Sequence, residues 1–129
     1  MGMYTEYLLR GEIKDDAPQQ VRDVLTFLAS RDFDSRVEPS PLPDHPFFVT
    51  DRWDCLGSRM SYYFPGSKGH SEFSEFGFIF YGDLKNYDQE IAKFVDWIMP
   101  HLKGWDNFIG YELYEEFDQP ILYHYKEEQ

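Results

Sequence analysis

Leu8-Leu9-Arg10-Gly11-Glu12-Ile13-Lys14-Asp15 decides the reading of this chain, because a similar stretch returns 71 positions later as Ile79-Phe80-Tyr81-Gly82-Asp83-Leu84-Lys85-Asn86. After a one-residue gap, Val21, Val24, Leu25, Phe27 and Leu28 stand opposite Ile91, Phe94, Val95, Trp97 and Ile98. A strand and a helix with the same punctuation, used twice, read as two copies of one motif.

Working outward, residues 3–13 alternate. Met3, Thr5, Tyr7, Leu9 and Ile13 fall on one face, and Glu6, Leu8, Arg10 and Glu12 on the other. Period two predicts a half-buried strand. Asp15-Asp16-Ala17-Pro18 then opens a helix, with acids in cap positions and proline where a missing N–H costs nothing. Val21, Val24, Leu25 and Leu28 form its apolar stripe, and it should end near Ser30. Four prolines make residues 31–46 an extended loop. Residues 47–54 and 59–64 read as two strands joined at Leu56-Gly57-Ser58, and 65–72 as a flexible connection. In the second copy, Phe76, Phe78 and Phe80 share one face of a strand. Asn86 is placed to cap the next helix, with Gln89 completing a capping box. Ile91, Phe94, Val95 and Ile98 form the stripe, closed by Pro100 and Gly104. Residues 108–116 and 121–125 read as a closing hairpin around Asp118-Gln119-Pro120.

A shift of 61 pairs the two predicted hairpins, with Phe47 against Phe108, Trp53 against Tyr114 and Tyr62 against Tyr123. The expected fold is therefore α+β: two βαββ repeats forming one curved antiparallel sheet, with two helices on one face. Repeat one spans 3–64 and repeat two 73–126, within a single domain.

At 129 residues the chain is long enough to bury about two-thirds of its surface without a covalent staple. Its one cysteine, Cys55, excludes an internal disulfide and a Cys-rich zinc site, and fits a reducing cytoplasm. No apolar run approaches the roughly 20 residues of a membrane span, and Met1–Glu6 carries no signal-peptide pattern. Gly2 lacks the later serine or threonine of a myristoylation site. Twelve basic against 24 acidic residues leave a formal charge of −12. That opposes binding to nucleic acid or anionic membrane and suits solubility or a basic partner.

The element order resembles the effector-binding domains of the gyrase-inhibitory-protein-like and SOUL haem-binding group. That resemblance implies a ligand cleft between the copies and a buried glutamate, Glu112 or Glu115, that helps to bind a cationic effector. Asp83–Ile91, Phe94–Pro100, Gly110–Glu116 and Pro120–Tyr123 look like uncharacterised small acidic proteins of phages and mobile elements from gut-type bacteria. This second resemblance implies an accessory role without a known activity.

Glu112, Glu115, Glu116 and Asp118 are close enough in sequence for acid–base or metal chemistry. On a hairpin they also serve as a solvated face that discourages edge pairing. His45, His70, His101 and His124 are scattered without metal-ligand spacing. His45 and His70 fall in predicted loops, and His101 at a helix end, where a cation suits the dipole. Cys55 has no local histidine partner and reads as a hairpin residue. Gly66-Ser67-Lys68-Gly69 lacks the order of a phosphate loop. Trp53, Tyr62, Tyr114, Tyr123 and Tyr125, beside carboxylates, are a good setting for a cationic or ring-shaped ligand, or else part of an aromatic core between sheet and helices. The ligand-binding candidates are thus Trp53, Tyr62, Glu112, Tyr114 and Tyr123, with no catalytic set, metal or cofactor. The chain reads as a non-enzymatic protein with an acidic aromatic surface for a basic partner. The alternative is a small-molecule-binding domain with a cleft between the repeats. Neither reading fixes the oligomeric state.

Overall fold

The computed structural model describes residues 3–30, 34–57, 69–104 and 107–126. Strand β1 (Thr5–Glu12) leads to helix α1 (Gln19–Leu28). Two short 3-10 turns follow, Pro46–Val49 and Trp53–Cys55. Then come β2 (His70–Phe73), β3 (Gly77–Leu84), α2 (Glu90–Ile98), a 3-10 turn at Met99–His101, β4 (Phe108–Tyr114) and β5 (Ile121–His124). The five strands make one antiparallel sheet in the order β2-β3-β1-β4-β5. The class is α+β. Each helix joins two strands that are separated by one strand from the other half: β3 lies between β1 and β2, and β1 between β3 and β4. These are two interlocked split β-α-β units, with β5 added at the edge.

The alternation in β1 sets the two faces. Thr5, Tyr7 and Leu9 are buried, and directly opposite residues share their face: Gly82 and Phe80 on β3, Glu112 and Gly110 on β4. The stripes of both helices join Tyr7, Leu9, Phe78 and Phe80 in one core. Phe94 of α2 is fully buried and touches Phe47, Phe78, Phe80 and Trp97 ring to ring. The face turned away from the core presents Leu8, Ile79, Tyr81, Tyr111 and Leu122. No helix among the described residues is long and apolar enough to cross a membrane.

Several expectations need correction. Residues 47–54 are not a strand. Pro46 fixes φ and removes a donor at the head of a 3-10 turn. His45 Nδ1 accepts from Phe47 N at 3.0 Å, capping it. Phe47 and Phe48 are both buried although adjacent, which no alternating strand allows. The predicted strand 59–64 lies outside the described residues. His70 is not in a loop but begins β2, so part of the supposed connection is a strand. In the sheet β2 flanks β3 as β4 flanks β1; the 61-position pairing therefore fails over 47–54, and its 59–64 half lies outside the described residues.

The helix starts also differ. Pro18 is the N-cap of α1, and no side chain caps it, so Asp15 and Asp16 do not cap it. The box on α2 does not form. Asn86 Oδ1 accepts from Ile91 N at 3.0 Å, while Glu90, not Gln89, reaches back to accept from Asp88 N at 3.1 Å. Gln89 sits in the left-handed region at φ 59°.

Gly110 is required by close approach, since a Cβ there would lie 1.7 Å from the Leu8 carbonyl oxygen. Removing the Phe94 ring leaves a cavity among four aromatics. Phe94→Ala should lower the unfolding free energy in urea by about 3–5 kcal/mol. Val49→Ala, at a position 83% exposed, should stay within about 0.5 kcal/mol. Equal effects would contradict this packing.

Candidate functional site

The β1–β4 register places Glu112 opposite Tyr7 and Tyr114 opposite Thr5, and β5 places Ile121 beside Glu112. All face the helix side of the sheet. There the β3–α2 connection delivers Asn86, Tyr87 and Gln89, and the β4–β5 turn delivers Phe117. All of these but Tyr7 line an open pocket of about 460 Å³.

Glu112 lines it and is 6% exposed. Its Oε2 accepts from Asn86 Nδ2 at 3.1 Å, and its Oε1 accepts a short hydrogen bond from the Tyr123 hydroxyl. Asn86 is held in that orientation because its oxygen is committed to Ile91 N at the start of α2. Burial, then the bond to Glu112, pushes the Tyr123 phenol upward. Both donors are neutral. Among the described residues no basic side chain ion-pairs with Glu112.

The walls are aromatic. Tyr114 and Phe117 meet edge to face at 5.4 Å. Tyr87 is 54% exposed, Phe117 55% and Ile121 46%, so three large apolar groups stand at one mouth. The Arg52 guanidinium lies 5.2 Å from the Tyr87 ring centre, so this aromatic already receives a cation. Glu115 braces the sheet end: its Oε1 accepts from Tyr4 N at 3.2 Å.

Of the sequence candidates, Glu112, Tyr114 and Tyr123 come together. Trp53 does not. It is 6% exposed and packs against Phe27, Phe47 and Phe48, because its predicted strand is a 3-10 turn. Tyr62 lies outside the described residues, as does the Gly66–Lys68 part of the glycine-rich loop. Asn86, Tyr87 and Phe117 are lining residues that sequence reasoning missed as site residues. Asn86 had announced itself only as a helix cap.

The remaining candidates are occupied otherwise. Cys55 closes a 3-10 turn rather than a hairpin. Burial, reinforced by Asp54, pushes its thiol upward, away from the reactive thiolate. His45, with Nδ1 accepting from Phe47, donates from Nε2 to Asp96 at 2.8 Å. Among the described residues no three His, Cys, Asp or Glu are grouped to hold a metal ion. A larger hollow of about 710 Å³ runs between α1 and residues 36–41. On its wall Arg36 lies over Phe27 and donates to the carbonyls of Phe27 and Asp54, so its guanidinium braces the loop. Comparison with family models, curated proteins and solved structures finds no match to this chain.

Tyr7, Tyr111 and Tyr123 all have phenols pushed upward, each chiefly by burial. Above the ordinary tyrosine range, about pH 10, the unfolded chain sheds these protons and the folded chain keeps them. Stability should therefore be intact below pH 10 and fall as pH rises beyond it. The tyrosinate absorbance of these rings should appear together with loss of near-UV circular dichroism. Tyr123→Phe should make the decline shallower. Full ionisation of all tyrosines in the folded protein would contradict this account.

Proposed function

We propose that this chain is a non-enzymatic interaction protein that anchors a cationic side chain of a basic partner in the Glu112 pocket. One observation carries the reading: a carboxylate almost wholly removed from water lines an open, aromatic-walled pocket and, among the described residues, has only neutral donors. Such a group has lost most of its hydration, and a hydrogen-bonding cation would restore what burial removed. Arginine suits it best, because its guanidinium both donates to a carboxylate and lies against aromatic rings. The exposed Tyr87, Phe117 and Ile121 would cover the apolar stem of that side chain. The formal charge of −12 favours encounter with a basic surface.

A second reading, a cationic or ring-shaped small molecule, draws on the pocket's size, which falls within the range of small-ligand sites. The open mouth with three exposed apolar groups favours a macromolecular partner.

We also read the chain as a duplication. Leu9 lies opposite Phe80, its own counterpart at the shift of 71. That supports a pseudo-twofold axis through this pair. The pocket lies off the axis, beside the β4–β5 hairpin of the second copy.

Calorimetric titration with an arginine-bearing peptide at low salt tests the assignment. Glu112→Gln keeps the shape and removes the charge. It should weaken binding roughly ten- to a hundredfold, as for a lost charged hydrogen bond. Glu116→Gln, in the exposed turn, should have little effect. Unchanged affinity in Glu112→Gln would dispose of the anchor.

A further inference from the structure

The Glu112 pocket adjoins a sheet edge with few of the usual defences against pairing. β5 is the outermost strand of the order β2-β3-β1-β4-β5; among the described residues no strand pairs with its outer side. Natural edges are blunted by lysine, proline, bulges or inward charges. Ile121-Leu122-Tyr123-His124 contains no lysine or proline, and the one irregularity in the hairpin lies on the β4 side, between Phe108 and Gly110. It is short, which limits the hazard, yet it exposes two large apolar side chains. Ile121 is 46% and Leu122 54% exposed, on opposite faces of the sheet. Ile121 is also a wall of the Glu112 pocket. The edge and the pocket are one continuous surface.

We infer that the partner reaches this protein as an extended basic segment that adds to β5 as a sixth strand, placing one arginine or lysine in the Glu112 pocket. This rests on the pocket reading and names how the partner is presented. Backbone hydrogen bonds to a sheet edge give affinity without selecting a sequence, and pockets for alternate side chains supply the selection. A strand beside β5 sends alternate side chains to the two faces. Those on the helix side pass Ile121 toward Glu112. Those on the other side meet Leu122 and Tyr111, which pair across β5 and β4, and should be apolar. The favoured segment therefore alternates basic and apolar residues over about four to six positions.

Charge selects this occupant over a second copy of the chain. Glu112, Glu115, Glu116 and Asp118 all lie on β4 or the β4–β5 turn, with Lys126 the nearest base along the chain beyond β5. Self-pairing would join two chains of formal charge −12, which repel. A basic segment meets the opposite sign.

The test uses the full chain and three kinds of synthetic peptide: alternating arginine and valine, the same with glutamate for arginine, and the arginine peptide N-methylated at every second residue in either phase. The arginine peptide should bind, and hydrogen exchange at the β5 amides should slow in its presence. The glutamate peptide should fail to bind. Methylation in one phase should weaken binding about tenfold or more by removing the donors that face β5. Because that change is made in the ligand, folding of a variant does not enter. Equal binding of both methylated peptides and the parent, with no protection of β5, overturns strand addition. If Glu112→Gln still weakens that binding, the pocket reading survives alone. If Glu112→Gln changes nothing while β5 is protected, the pocket reading falls and with it the arginine placement. Protection of β5 without peptide, together with a doubled mass in light scattering, assigns the edge to a second copy and overturns the proposal.

Discussion

Everything in this molecule is hung on β1. It is paired on both edges, with β3 over all eight of its residues and with β4 from Thr5 to Leu9. Tyr7 and Leu9 on its inner face are fully buried. A strand so placed fixes the register of both neighbours, because a slip of one residue would turn every buried side chain outward. Tyr7 does more than fill space. Its hydroxyl accepts from Gly57 N at 2.8 Å, which ties the 3-10 segment to the sheet. From the same side, Ser71 on β2 donates to the Gly57 carbonyl. The irregular stretch that carries Phe47, Phe48 and Trp53 is thereby held at its far end by two strands.

The same register positions Glu112. Opposite Tyr7, it must face the helix layer, where a carboxylate is costly unless its oxygens are satisfied. Asn86 and Tyr123 satisfy them from two different elements. Asn86 divides its amide between the first turn of α2 and this carboxylate, so the start of the helix and the pocket are mechanically one unit. Glu90, fully buried, extends the connection, accepting from Arg52 N at 3.2 Å as well as from Asp88 N. The site is therefore built on a helix start and a strand rather than on loops alone, which favours a rigid, preformed geometry.

Much of this was legible in sequence. Strong periodicity marked β1, α1, β3 and α2, because each has one buried face and repeats accordingly, and the Asp118-Gln119-Pro120 turn marked the β4–β5 hairpin. The failures have local causes. Residues 47–54 contain enough aromatics to look like a strand, but Pro46 and the adjacent buried pair Phe47-Phe48 serve a compact turn. His70–Phe73 follows a glycine- and serine-rich run and is only four residues long, so its turn-like composition hid a strand. Of the site, Glu112, Tyr114 and Tyr123 were visible as carboxylate and aromatics alternating along a hairpin. The bond from Asn86 to Glu112 was not. It spans 26 positions and exists only because β4 is laid beside β1, which no local pattern encodes. Trp53 was misplaced for the same reason: its supposed equivalence to Tyr114 depended on a hairpin alignment that the sheet does not use.

A sequence that specifies one fold tends to satisfy every local rule at once, and departures mark function or strain. Here several departures gather in one corner. A buried carboxylate with no ion pair among the described residues, a left-handed Gln89, the exposed Tyr87 and Phe117 and the β5 edge all adjoin the second helix start and the last hairpin. Elsewhere Trp53 is buried among rings, Arg36 spends donors on carbonyls, and β2, the opposite edge, shows the polar His70 and Glu72 to solvent, while Val37, Val49 and Phe76 stand exposed. The aromatic core around Phe94 is large enough to carry such costs, because each buried ring contributes heavily. The Glu112 pocket and the β5 edge share Ile121, so the features proposed for binding form one continuous surface.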